Sequence, residues 1–243
     1  MLEIEDLSKR YGETVALSDA RISFRAGTVH TILGENGSGK STLVKLLGGI
    51  VQPDRGSVRL DGKLIRANGP GDLRALGFAT VFQEVLVAPD RTVADNILLG
   101  YDSLFRRAVA RNGRHALASE TLAAFAVTPI PLGVLAGDVP LASQQLVVLA
   151  RALVRKPRIL ILDEVTAALD FADRESVFRL MRRLAEAGNL IIFITHRMDE
   201  VMSLSDDVTV LRGGKVVTTL ARGGFEPEQL LALMAPERRS QEH

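Results

Sequence analysis

Gly34-Glu35-Asn36-Gly37-Ser38-Gly39-Lys40-Ser41 matches the pattern G-x-x-x-x-G-K-[ST] at every fixed position. The run Thr28-Val29-His30-Thr31-Ile32-Leu33 before it reads as a strand. Ser41 to Leu47 reads as a helix with Leu43, Leu46 and Leu47 on one face. Strand, glycine-rich loop and helix in that order make a cradle for a polyphosphate. The glycines let the backbone turn and point successive N–H groups inward. The helix start adds unpaired donors and partial positive charge. Lys40 supplies a mobile charge for the terminal phosphates, and the Ser41 hydroxyl suits Mg²⁺.

Around this loop the chain has an ordinary globular balance. Its 243 residues are 47% hydrophobic and 24% charged, with a formal net charge of +1. That argues for one or two domains and against a bulk basic field for nucleic acid. With no cysteine, disulfide frames, thiolate metal sites and thiol catalysis are excluded. Met1-Leu2-Glu3-Ile4-Glu5-Asp6 carries acids where a signal peptide has a basic region. The run Leu190–Ile194 is strand-sized, not membrane-sized. The sequence therefore predicts a cytoplasmic chain whose membrane spans, where needed, come from other subunits.

The pattern is strand-like at Leu2, Ile4, Val15, Leu17, Ile22 and Phe24. It is strand-like again at Ser57–Leu60, entering a turn at Asp61-Gly62, and at Gly77–Phe82. It then turns helical. Thr92-Val93-Ala94-Asp95 has capping-box spacing, and helices are expected at His115–Phe125 and Ser143–Val154, with a proline-rich loop from Pro129 to Pro140. Strand–helix alternation resumes at Ile159–Leu162. A helix bearing Val177, Leu180, Met181 and Leu184 follows, then the strand Leu190–Ile194, a short helix from Arg197 and the pair Val208–Leu211 and Lys215–Thr219. The expected organisation is one nucleotide-binding domain: an α/β core over 1–83 and 158–243, interrupted by a helical subdomain near 84–157. The basic stretch Arg106–Arg114 reads as a solvated helix face and loop.

Strand ends supply the remaining chemistry. Ile159-Leu160-Ile161-Leu162 delivers Asp163-Glu164 to the edge where open α/β sheets bind ligands. Asp163 suits Mg²⁺, and Glu164 suits drawing a proton from an attacking water, a role that contributes ~10²–10⁴ in rate. Leu190–Ile194 delivers Thr195-His196, whose imidazole can donate to a γ-phosphate and orient the water. Gln83 also ends a strand, and its amide oxygen can join the Mg²⁺ shell. Tyr11 can stack on adenine.

This ordered set, from Tyr11 through Gly34–Ser41, Gln83, Asp163-Glu164 and Ala167-Ala168-Leu169-Asp170 to His196, resembles the ATP-binding cassette family over nearly the whole chain. The resemblance implies a P-loop NTPase core: a RecA-like mixed sheet with flanking helices, an antiparallel β subdomain and an inserted helical subdomain. It implies ATP and Mg²⁺ as cofactors. Tyr11, Gly34, Asn36, Gly37, Ser38, Gly39, Lys40, Ser41, Thr42 and Gln83 would bind the nucleotide. Ser41, Gln83 and Asp163 would hold the metal, and Glu164, His196 and Lys40 would be catalytic. Two such domains would close head to tail over two ATP molecules, with Asp170 in the loop that talks across the dimer, and the helical subdomain would dock on a membrane-spanning permease.

One motif departs from the family. Anchoring on Gln144-Gln145-Leu146-Val147-Val148-Leu149-Ala150-Arg151-Ala152-Leu153 places Val139-Pro140-Leu141-Ala142-Ser143 on the family signature Leu-Ser-Gly-Gly-Gln. Matching Leu141–Gln145 instead would rotate the helix by about 200° and turn its apolar face outward. In the preferred frame Pro140 brings neither hydroxyl nor N–H to a partner's phosphate, and Leu141 and Ala142 replace glycines. This is similar to the N-terminal cassette of ribose/galactose/xylose-type sugar importers. Further likeness lies in Thr92–Gly100 and Thr195–Val201. Those importers fuse two cassettes; this length fits one, ending in charged Arg238–His243. Val165 stands where the family usually has proline, with no consequence in view. The resulting expectation is an ATP-hydrolysing subunit powering monosaccharide import, held on the cytoplasmic side of the bacterial inner membrane by permease subunits and served indirectly by a periplasmic sugar-binding protein. The alternatives are a non-transport cassette and a regulatory module with weak hydrolysis. The first lacks the long coiled coil or second cassette such proteins carry; the second is kept open by the altered signature.

Overall fold

The computed structural model describes residues 1–101 and 111–235. The stretch Arg106–Arg114 lies partly, and the end Arg238–His243 wholly, outside the described residues. β1 (Leu2–Tyr11) and β2 (Thr14–Phe24) pair antiparallel, Leu2 opposite Phe24. Val15, expected to point inward with Leu17, is 47% exposed. The hairpin end, where Tyr11 faces Thr14, projects beyond the core, so alternation there buries nothing. β3 (Val29–Leu33) leads into α1 (Lys40–Leu47). β4 (Arg55–Leu60) turns at Asp61-Gly62 into β5 (Lys63–Leu64). α2 (Pro70–Ala75) precedes β6 (Phe78–Val81).

The helical segment holds α3 (Val93–Ile97), α4 (Arg111–Ala123), a 3₁₀ turn at Ala136–Asp138 and α5 (Leu141–Leu153). Thr92 caps α3, its hydroxyl accepting from the Asp95 N–H at 3.1 Å. Then come β7 (Ile159–Asp163), α6 (Phe171–Glu186), β8 (Leu190–Thr195), α7 (Met198–Leu204), β9 (Asp207–Arg212), β10 (Lys215–Ala221) and α8 (Pro227–Met234).

The strands form two sheets, ordered β2-β1-β4-β5 and β10-β9-β3-β8-β7-β6. In the second, β9, β3, β8, β7 and β6 run parallel and β10 antiparallel. Parallel strands of such a sheet are covered on both faces, and the side chains alternate accordingly. Ile159, Ile161, Ile192 and Ile194 pack toward α1 and the antiparallel sheet, with Leu2, Phe24, Leu43 and Leu47. Leu160, Leu162, Ile191 and Phe193 pack on the opposite face with Val177, Phe178 and Met181 of α6. Val93 and Ile97, then Leu146 and Leu149, bring α3 and α5 into that same core. Among the described residues no helix is long and apolar enough to cross a membrane.

Polar ties lash the helical segment together. Asn96 is 1% exposed. Its amide accepts from the Ala88 N–H and donates to the Ala88, Arg91 and Thr92 carbonyls. Arg151 of α5 donates from Nε to the Asn96 carbonyl (2.8 Å), from Nη2 to Asn96 Oδ1 (2.9 Å) and from Nη1 to the Leu86 carbonyl (2.8 Å). These bonds satisfy groups that would otherwise be costly to bury.

Candidate nucleotide site

The parallel strands end in one row. Val81 pairs with Leu162, Leu162 with Phe193, and Leu33 with Thr195. Gln83, Asp163-Glu164, His196 and Gly34 therefore leave the sheet from its C-terminal edge within two residues of each other's register. That edge is where a doubly wound sheet offers strand ends and helix N-termini to a ligand.

The loop between β3 and α1 is shaped by close backbone approach. A Cβ on Gly34 would lie 2.4 Å from the Leu211 carbonyl oxygen, and one on Gly39, at φ +106, 2.7 Å from that of Ala16. β2 and β9 thus press on the loop from behind. Lys40 is 6% exposed, and its Nζ donates to the Gly34 and Glu35 carbonyls at 2.7 and 2.9 Å. Those bonds hold the ammonium across the mouth of the loop with a third donor to spare. The Ser38 hydroxyl is buried with no hydrogen-bond partner in the protein. A cradle too tight for a side chain, lined by an orphaned hydroxyl and an ammonium, fits a phosphate chain. Asn36, Gly37 and Ser41 are exposed on the loop and first turn, and Thr42 is half-buried. Tyr11 is 45% exposed at the hairpin end, with Lys9 Nζ 5.8 Å from its ring centroid.

Opposite the loop, three predicted residues converge. Glu164 Oε1 lies 2.9 Å from His196 Nδ1, and Glu164 Oε2 accepts from Gln83 Nε2 at 3.1 Å. The carboxylate is thereby held by the ends of β6 and β8. Glu164 itself has φ +48, and its N–H donates to the Ile194 carbonyl at 3.0 Å. A left-handed acidic residue at a strand end costs of order 1–3 kcal/mol and is tolerated where the surroundings dictate it. Burial, and then the neighbouring Glu164 charge, push the Asp163 carboxyl up to about 6; Lys40 and Lys45 oppose the push. Burial lowers the Lys40 pKa, while Glu164 and Asp163 hold it up.

The residues proposed for a metal are a hydroxyl (Ser41), an amide oxygen (Gln83) and a carboxylate (Asp163). Gln83 engages Glu164 through its nitrogen, which leaves its oxygen as the atom available to a cation. Such hard oxygen donors, few in number, fit Mg²⁺ completed by phosphates and water. Bound there, Mg²⁺ would neutralise phosphate charge. Among the described residues no group of three or more His, Cys, Asp or Glu gathers around one point.

Asp170, assigned by resemblance to a loop at the dimer face, is also the N-cap of α6, accepting from the Asp173 N–H at 2.9 Å. Pro140 is the N-cap of α5 and makes no side-chain cap bond, and Leu141 after it is 59% exposed. The motifs contained Thr195 and Glu200 but gave them no role and left Thr166 aside; the buried hydroxyls of both threonines join the Glu200 carboxylate behind the Glu164–His196 pair.

A phosphate cradle, a metal-suited carboxylate and a held glutamate on one sheet edge define a nucleotide site of the phosphate-loop ATPase class. The chain belongs to the ABC transporter family, whose model matches residues 17–167. It is 43% identical over 234 residues to the ribose import ATP-binding protein RbsA 1 of Rhizobium johnstonii, covering 96% of this chain and 46% of that protein. Against a putative ribose/galactose/methyl galactoside import ATP-binding protein 3 of Burkholderia ambifaria it is 38% identical over 236 residues, again 96% and 46%. The chain thus spans about half the length of the curated relatives it matches. Among solved structures, a dimeric post-hydrolysis ATP-binding cassette bound to ADP and Pi superposes with a TM-score of 0.83 at 26% identity, over 93% of this chain and 100% of the other. A nucleotide-free ATP-binding cassette from an ABC transporter gives 0.80 at 26% identity, over 96% and 95%. The P-loop fold with flanking helices, read from the sequence, is the fold of these cassettes.

Proposed function

We propose that this chain is the ATP-binding and ATP-hydrolysing cassette of a bacterial sugar importer. Its catalytic residues are Glu164, His196 and Lys40, and its metal ligands Ser41, Gln83 and Asp163. The observation that carries hydrolysis is the Glu164 carboxylate held between Gln83 and His196, at 3.1 and 2.9 Å. In that position Glu164 draws the proton from a water aimed at the terminal phosphate. Lys40 and the loop N–H groups hold the phosphates. His196, 53% exposed in its side chain, faces the place where that water sits. The sugar class rests on the names of the relatives, which are import ATP-binding proteins.

The working unit is a head-to-tail pair with a second cassette, docked on permease subunits at the cytoplasmic face of the inner membrane and fed by a periplasmic sugar-binding protein. A groove of about 180 Å³ between the sheet and the helical segment supports docking. It is lined by exposed Ile50 and Leu99 and by Phe82, with Arg74 at its rim. The second reading, a nucleotide-binding module with weak hydrolysis, is favoured by Pro140 at the start of α5. Turnover with the cognate partner cassette decides between them. Glu164→Gln keeps the size of the side chain and is expected to lower kcat by ~10²–10⁴ while Mg·ATP binding stays within threefold. Undiminished turnover in that variant would refute the assignment.

A further inference from the structure

Glu200 sits in the first turn of α7 and is 0% exposed. Its two carboxylate oxygens face different strands' extensions. Oε1 accepts from Thr166 Oγ1 at 2.8 Å, and Oε2 accepts from Thr195 Oγ1 at 2.6 Å. Both threonines are 2% exposed. Arg197 Nε, on a side chain 40% exposed, stands 3.7 Å from Oε1. The Arg197 N–H donates to Thr195 Oγ1 at 3.1 Å, so that hydroxyl's one proton is committed to Glu200. A fully buried carboxylate is expensive unless its lone pairs are met. Here each oxygen is met by a hydroxyl, that of Thr195 at the short distance of a charge-assisted bond and that of Thr166 at an ordinary O–H···O length.

The positions of the two threonines matter. Thr166 lies two residues after Glu164, in the turn that also carries the Ala167 N–H to the Glu164 carbonyl, 3.2 Å. Thr195 is the residue before His196. The carboxylate therefore ties the chain just past Glu164 to the chain just before His196. Beside this tie the β7–β8 ladder runs up to Asp163 opposite Ile194, and the Glu164 N–H donates to the Ile194 carbonyl at 3.0 Å. Glu164 and His196 meet side chain to side chain at 2.9 Å on the far side of this tie.

We propose that Glu200 is a positioning residue for hydrolysis: its buried carboxylate clamps Thr166 to Thr195 and thereby sets the Glu164–His196 geometry. The inference rests on the reading of Glu164 as the proton acceptor. Glu200 touches neither nucleotide nor water. It acts through the two threonines, and the phosphate loop is no part of the clamp. Loss of the clamp should therefore lower the chemical step and spare binding, since misplacing a catalytic group by about 1 Å costs on the order of 10²-fold.

Steady-state Mg·ATP hydrolysis with the partner cassette present, and calorimetric ATP binding, are compared for the full chain, Glu200→Gln, Thr166→Val and the double variant. Circular dichroism confirms that each is folded. Glu200→Gln turns one acceptor into a donor facing a committed hydroxyl; Thr166→Val removes one arm at nearly constant volume. Expected are a ten- to hundredfold fall in kcat for Glu200→Gln, a smaller fall for Thr166→Val, and a double variant no worse than Glu200→Gln alone, as one unit requires. KM and ATP affinity stay within threefold. The His196 ring resonances, assigned by their loss in His196→Asn, should move in both single variants while those of His115 stay, a readout that needs no turnover. Unmoved His196 resonances, or a rise in KM matching any fall in kcat, would overturn the clamp. Full turnover in Glu164→Gln would instead remove the reading beneath it, whereas a dead Glu164→Gln beside fully active Glu200→Gln would sink the clamp alone.

Discussion

His30 is the second residue of β3, the strand that carries the phosphate loop, and offers a sharp test of the electrostatics beneath the site. It is 0% exposed. Nε2 is 2.7 Å from Thr209 Oγ1, Nδ1 has no partner, and the ring leans on Phe24 at 4.6 Å between centroids. Burial pushes its pKa down to about 4; Asp207 pulls it up and Arg25 adds to the fall. In the unfolded chain the imidazole titrates near 6.5. Between these values the unfolded state binds the extra proton, so stability falls as pH drops below about 6.5 and the loss is complete near 4. Linkage with those two values gives a loss of about 2 kcal/mol between pH 7 and pH 5. Urea unfolding of the chain and of His30→Gln, followed by circular dichroism at pH 7 and pH 5, isolates it. Asp163, raised to about 6, gains protons in the folded state and works in the opposite sense over that interval. It is common to both chains, as are the other carboxylates, and cancels in the difference. The native chain should lose about 2 kcal/mol more than His30→Gln over this interval. Equal losses would refute the buried neutral imidazole.

Two further outcomes follow from the site. Gly39→Ala places a methyl 2.7 Å from the Ala16 carbonyl at φ +106; strain of about 1–3 kcal/mol should weaken ATP binding roughly five- to 150-fold, and calorimetric affinity within twofold of native would contradict the close-approach argument. Replacing Pro140-Leu141-Ala142 by Ser-Gly-Gly restores a capping hydroxyl and an N–H at the start of α5 and should raise turnover of the composite site about ten- to hundredfold, from a charged hydrogen bond of about 1.5–3 kcal/mol; unchanged turnover with the partner cassette present would show that this segment does not face its phosphate.

The loop Gly34–Ser41, the acids Asp163-Glu164 and His196 were legible because strand, glycine and helix signals are local and flank them. The unbroken apolar runs Ile159–Leu162 and Leu190–Ile194 likewise announced buried strands. Long-range polar pairing leaves no such mark. Glu200 reads as an acid favourably placed in a helix's first turn, and only the fold brings Thr166 and Thr195 to its two oxygens. Asn96 and Arg151 are 55 residues apart, so neither pattern nor spacing links them. The register shifts near Asp6 in β1 and Asp19 in β2, at φ 51 and 47, broke the inward alternation of both strands for the same reason. They depend on which strand lies opposite.

The Arg151 guanidinium holds α5 to Leu86 and Asn96 by three charge-assisted bonds, each of a kind worth about 1.5–3 kcal/mol. Sliding the signature helix past the stretch that follows Gln83 would break all of them. A push on either is therefore delivered to both. Swinging must be absorbed where the polypeptide crosses back to the sheet, after Phe82 and again between Val154 and Pro157. The two crossings lie at opposite ends of the β6–β7 pair, one past Val81–Leu162 and one before Phe78–Ile159, so the segment tilts between two anchors, and a load borne at Leu86 passes through Arg151 into the helix that begins at Leu141.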